Sequence, residues 1–108
     1  VLFIFNDNLE DWLGRGEYAP NVVGVPTGSY ASGEARGFAS LDEEAAPGVT
    51  VADVLAGFQV LLAGKLRGKH CVVYSGTASE LATERFDTAA SVREAVVDAI
   101  KVVMDAQL

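Results

Sequence analysis

The chain has 108 residues, half of them hydrophobic, with 15 acidic and 8 basic residues and a formal net charge of −7. That length suits a single domain, residues 1–108, with a real core, and the apolar share sets disorder aside. The acidic balance argues against general nucleic-acid binding, which draws its affinity from Lys and Arg on phosphates.

No apolar run reaches the roughly 20 residues of a membrane span. The longest candidate, 51–66, is broken by Asp53, Gln59 and Lys65. No basic segment precedes the first apolar residues, so no signal peptide is read there. Cys71 is the single cysteine and His70 the single histidine. An internal disulfide and a Cys/His metal site are therefore both excluded. A reducing, cytoplasmic compartment is the expectation. His70 and Cys71 are neighbours in an expected strand and point to opposite faces, which speaks against a Cys-His nucleophile.

Val1-Leu2-Phe3-Ile4-Phe5 runs without a break into Asn6-Asp7-Asn8. Such a run reads as a strand buried on both faces, at the centre of a sheet. The polar triplet then lies at the carboxyl end of the strand, where open α/β sheets place their ligands. Residues 9–20 read as a short helical turn or loop, stopped by Gly14 and Gly16 and closed by Pro20. Trp12 and Tyr18 read as cover for the sheet edge or, alternatively, as ring stackers for a base.

Asn21-Val22-Val23-Gly24-Val25 is a second strand, which Pro26 should end by removing a donor. Thr27-Gly28-Ser29 then forms a second polar loop. Residues 28–50 show no strong periodicity. Phe38 and Leu41 are the expected anchors of this segment, and Asp42-Glu43-Glu44 reads as a solvated face or the start of one helical turn. A connection this long is either functional or holds short elements of its own.

Thr50 and Asp53 mark a helix start. From there Val51, Val54, Leu55, Phe58, Leu61, Leu62 and Leu66 repeat at the helical period to residue 66. Lys65, Arg67 and Lys69 at its end suit the helix dipole and read as structural rather than as a phosphate site. Residues 70–74 form a third strand, followed by the small-residue loop Ser75-Gly76-Thr77 and a short helix over 79–85. Asp87 or Thr88 should cap the last helix, which runs to about Ala106. That helix buries Val92, Ala95, Val96, Ala99, Ile100 and Val103 and turns Arg93, Asp98, Lys101 and Asp105 to water.

This order predicts an α/β fold: a small three-layer sandwich, a mostly parallel sheet with helices on both faces. In such a sheet the three loops share one edge. Asn6, Asp7, Asn8, Thr27, Gly28, Ser29, Ser75, Gly76 and Thr77 are then the candidate ligand-binding residues. They offer short donors and acceptors, with one carboxylate and no base. That set suits the hydroxyls and phosphates of a nucleotide-like ligand. No catalytic residue, metal ligand or cofactor is assigned.

The residues Ile4-Phe5-Asn6-Asp7-Asn8-Leu9, Pro20-Asn21-Val22-Val23-Gly24-Val25-Pro26-Thr27, Gly37-Phe38 and Gly76-Thr77 with Leu81-Ala82 form a pattern across most of the chain. This pattern resembles a group of small uncharacterised bacterial and phage proteins, themselves similar to macro domains. The resemblance implies a macro-domain-like fold and binding of ADP-ribose or a related nucleotide. Asn6 stands where the family pattern has Gly, Gly28 where it has Lys, and Ala78 where it has Gly. Glycines let a backbone approach a pyrophosphate closely, so the implied pocket is altered here.

Three functions follow. One is a nucleotide- or ADP-ribose-binding domain. Another is a non-catalytic interaction module, homo-oligomeric or acting through the acidic half: residues 1–48 carry eight acids against Arg15 and Arg36. The third is an enzyme using Asp7 and Glu10 as paired carboxylates.

Overall fold

The computed structural model describes residues 1–14, 18–31, 33–83 and 86–107. The elements run β1 (Leu2–Asn8), α1 (Leu9–Gly14), β2 (Val22–Ser29), β3 (Arg36–Gly37), β4 (Glu44–Ala46) and β5 (Val49–Thr50). They continue with α2 (Val51–Leu66), β6 (Val72–Val73), α3 (Ala78–Leu81) and α4 (Ala90–Gln107). A four-stranded sheet has the order β3-β2-β1-β6, and β4 and β5 form a separate two-stranded ribbon. β1 is parallel to both β2 and β6, whereas β3 is antiparallel to β2. The chain is thus mixed α/β with a mostly parallel sheet. The second and third expected strands are not neighbours, because β1 lies between them.

β1 is central but not buried on both faces. Leu2 and Ile4 are buried in one cluster with Val23 and Val25 of β2, Val54, Phe58 and Leu62 of α2, and Val92 and Val96 of α4. Phe3, on the opposite face, is 44% exposed and its β6 partner Val73 is 41% exposed. The side chains alternate across the sheet, and the described helices bury their apolar stripes against one side only. A third layer over the Phe3 face is not seen among the described residues. An unbroken apolar run did not betray this, because a strand with one open apolar face reads like one with two covered faces.

β2 also departs from expectation. It continues through Pro26 to Ser29. The register against β1 shifts after Asp7, pairing Asn8 with Gly28 and leaving Thr27 as an extra residue. A bulge is a site where a strand tolerates proline, since the ladder is already interrupted. Thr27, Gly28 and Ser29 are therefore buried strand residues rather than a loop.

α2 follows the sequence closely. Thr50 Oγ1 accepts from the Asp53 N–H at 3.2 Å, and Asp53 Oδ2 accepts from the Thr50 N–H at 3.0 Å, a reciprocal capping box. Val51, Val54, Leu55, Phe58, Leu62 and Leu66 are buried, each worth about 1.5–3 kcal/mol on burial. Lys65 Nζ donates to the carbonyls of Tyr18, Ala19 and Val22 at 3.2, 3.2 and 2.8 Å. That bond set fastens the end of α2 to the start of β2 and supports the structural reading of the basic cluster.

Residues 28–50 hold β3, β4 and β5. Phe38 is fully buried and Leu41 packs against the core. Glu43 is tied down rather than solvated. Burial alone would raise its carboxyl, but N–H donors from Ala39 and Ser40 and the Arg36 guanidinium outweigh it and hold the group below its ordinary value.

The third strand shortens to Val72–Val73, and α3 spans Ala78–Leu81, with positions 84 and 85 of the expected helix outside the described residues. Thr88 does not cap α4: its hydroxyl donates to the Thr27 carbonyl at 3.0 Å, and the first α4 amides bond the Ala89 carbonyl. No described helix is long and apolar enough to cross a membrane.

Candidate functional site

The carboxyl ends of β1 and β2 meet, as parallel pairing requires. Asn6 Nδ2 donates to Thr27 Oγ1 and to the Leu81 carbonyl, both at 2.7 Å. Asn6 Oδ1 is buried without a hydrogen-bond partner among the described residues. Asp7 faces the other side of the sheet, where Tyr18 donates its hydroxyl to Oδ2 and the Asn8 N–H donates to Oδ1 at 2.9 Å. The Tyr18 ring also meets Phe5 edge-on at 5.3 Å. Tyr18 thus covers part of the sheet face, whereas Trp12 turns to α2: a Cβ on Gly57 would stand 3.2 Å from its ring. Gly24 makes room for this cluster, since a Cβ there would stand 2.6 Å from Asp7 Oδ2.

Asn8 begins α1. Its Oδ1 accepts from the Asp11 N–H at 2.9 Å and its Nδ2 donates to Asp11 Oδ2 at 3.0 Å. That is the reciprocal bonding of a helix start. Glu10 accepts from Ser29 Oγ at 2.7 Å and from the Tyr30 N–H at 2.6 Å. Asp7 and Glu10 therefore serve separate bond sets and do not form a carboxylate pair. Gly28 lies under the Phe86 ring, whose Cγ would be 2.3 Å from a Cβ at that position.

The structure brings Asn6 and Thr27 into contact, with Asp7, Asn8, Gly28 and Ser29 close by on the paired strands. Asn6, Asp7, Asn8, Thr27 and Ser29 are all buried, at most 6% exposed. Ser75, Gly76 and Thr77 are exposed. Thr77 Oγ1 accepts from the Glu80 N–H at 3.2 Å and caps α3. Among the described residues, no hydrogen bond joins Ser75, Gly76 or Thr77 to the other two segments. Their link is indirect, through α3 and the Leu81 carbonyl that receives Asn6. No group of three or more His, Cys, Asp or Glu among the described residues is placed to hold a metal.

The arrangement is a polar belt that fastens β1 to α1, β2 and α3. Its donors and acceptors are largely engaged with one another, which is how buried polar groups avoid a desolvation cost. Two other features were not visible in the sequence. The apolar sheet face carrying Phe3 and Val73 is open. A cleft of about 360 Å³ lies between α3 and α4, lined by Ser79, Ala90, Arg93, Glu94, Val97 and Asp98. The sequence reads Arg93 and Asp98 as facing water, and only the lack of an acid at helical spacing from Arg93 signals anything else. No protein-family model, curated protein or solved structure matches the chain.

Proposed function

We propose that this chain is a non-catalytic interaction module that self-associates through its open sheet face. The observation that carries this reading is the exposure of Phe3 (44%) beside Val73 (41%) on adjacent strands, with Val1 56% exposed at the same end. Cys71, an exposed free thiol, directly precedes β6 at the same end of the sheet. Neighbouring apolar side chains left open on a small domain are the surface an interaction partner would cover.

A second copy is the partner that the charge favours. Val1, Phe3, Phe5, Val22, Cys71 and Val73 bear no charged side chain, and Asp7 on the same face is buried and bonded by Tyr18, so two chains of net charge −7 would meet where neither exposes an acid. The acidic half itself is a weaker candidate surface. Asp7 is taken up by Tyr18, Glu10 by Ser29 and Tyr30, and Glu43 by Arg36. Light scattering across a concentration series tests the reading: a dimer is expected, and a strict monomer would overturn it.

The second reading is the nucleotide or ADP-ribose-like site of a macro-domain-like fold. It is supported by the parallel pairing that puts Asn6-Asp7-Asn8 and Thr27-Gly28-Ser29 on one sheet edge. The internal engagement of those same groups weighs against it. Calorimetric titration with ADP-ribose tests it, and the absence of binding tighter than about 1 mM would end it.

A further inference from the structure

The α3–α4 cleft holds charges of both signs that make no pair with one another among the described residues. Arg93 is half-buried, and its Nε is buried without a hydrogen-bond partner among the described residues. Among the described residues, the side chains of Arg93, Glu94 and Asp98 make no hydrogen bond or ion pair. Helix spacing explains why. Positions 93 and 94 do not face each other, 93 and 98 are one residue beyond a facing pair, and Glu94 and Asp98 are four apart and share a face as like charges; Lys101, three beyond Asp98, is at facing spacing, yet no ion pair joins the two among the described residues. A guanidinium offers five donors and has a bidentate match in a carboxylate.

We propose that this cleft binds a small zwitterion, an α-amino acid with an apolar side chain. Its carboxylate pairs with Arg93 and the Ser79 hydroxyl. Its ammonium lies between Glu94 and Asp98, and its side chain rests on Ala90 and Val97. An anion alone would confront two carboxylates, and a cation alone would confront Arg93; a ligand with both charges satisfies all three. The volume of about 360 Å³ falls in the range of small-molecule sites. The cleft belongs to the helical layer and stands apart from the sheet face assigned to self-association.

The test is an amide NMR titration with L-leucine, with acetate and n-propylammonium as single-charge arms. Saturable shifts at Ser79, Arg93, Glu94 and Asp98 are expected with leucine by about 10 mM, and not with either control. Arg93→Gln and the exposed-site variant Asp98→Asn should each weaken leucine binding about tenfold or more, with the parent's circular dichroism retained. Absence of saturable shifts, equal shifts with acetate or n-propylammonium, or unchanged binding in a folded Asp98→Asn variant would overturn the proposal.

Discussion

Replacing Asn6 by Ala asks whether the belt at the strand ends is structural. Asn6 is 2% exposed, and its Nδ2 makes two hydrogen bonds of 2.7 Å. Each such bond contributes about 0.5–1.5 kcal/mol net, and an acceptor left buried without a donor costs about 1–3 kcal/mol. The Leu81 carbonyl is the acceptor most exposed to that loss, since Thr27 Oγ1 can rotate its own hydrogen. Relief of the unpartnered Asn6 Oδ1 returns part of the cost. The expected destabilisation is about 2–3 kcal/mol, which moves a urea midpoint down by about 1–2 M. Thr27→Val should cost about 1 kcal/mol alone. The double variant should cost less than the sum, because the two share one bond. Equilibrium urea unfolding followed by circular dichroism reads all three. A loss below about 0.5 kcal/mol for Asn6→Ala would refute the structural account of the belt.

Two further substitutions and conditions follow from the same packing. Gly37→Ala places a Cβ 2.2 Å from the Asp87 carbonyl oxygen and 2.7 Å from the Thr88 nitrogen, both backbone atoms that cannot swing aside. It should cost about 3 kcal/mol or more and release the segment carrying Thr88 from β2, seen as lost amide protection at Ala89, whose N–H donates to the Phe38 carbonyl. Acidification should destabilise the fold through Glu43, whose carboxyl is held below its ordinary value. A depressed carboxyl contributes stability that is full above its unfolded value and is lost as pH falls through its folded value. Urea midpoints should therefore fall with acid in the parent and fall less in Glu43→Gln; parallel curves would contradict this.

How legible the fold was depended on what each residue had to satisfy. α2 was readable because Thr50, Asp53 and the apolar repeat to Leu66 all point to one helix, and the structure keeps each of them. A mostly parallel sheet was readable from the strand–helix alternation, but the pairing of β1 with β2 was not, since nothing in residues 9–21 says which strand the crossover returns beside. The open face was not, since Phe3 and Phe5 look the same in sequence whether a helix covers them or not. Pro26 misled for a similar reason: a bulge depends on the neighbouring strand and not on the proline itself. The candidate binding residues are small polar groups that follow strands in the sequence. Whether such groups face a ligand or each other is decided by register: Asn6 meets Thr27 and Leu81, whereas Thr77 stays at the α3 cap.

The central claim, self-association through the sheet face, is tested most directly by light scattering of the parent, Phe3→Lys and Val60→Lys over about 1–100 μM, the range of a modest homodimer. Phe3 and Val60 are both exposed, so neither Lys need bury a charge, but Val60, 74% exposed, lies on α2 in the other layer. The parent should approach twice the monomer mass as concentration rises, and alkylation of Cys71 should slow in step. Phe3→Lys should remain monomeric, and Val60→Lys should behave as the parent. A parent that stays monomeric throughout, or a Phe3→Lys variant that dimerises like it, would contradict the account.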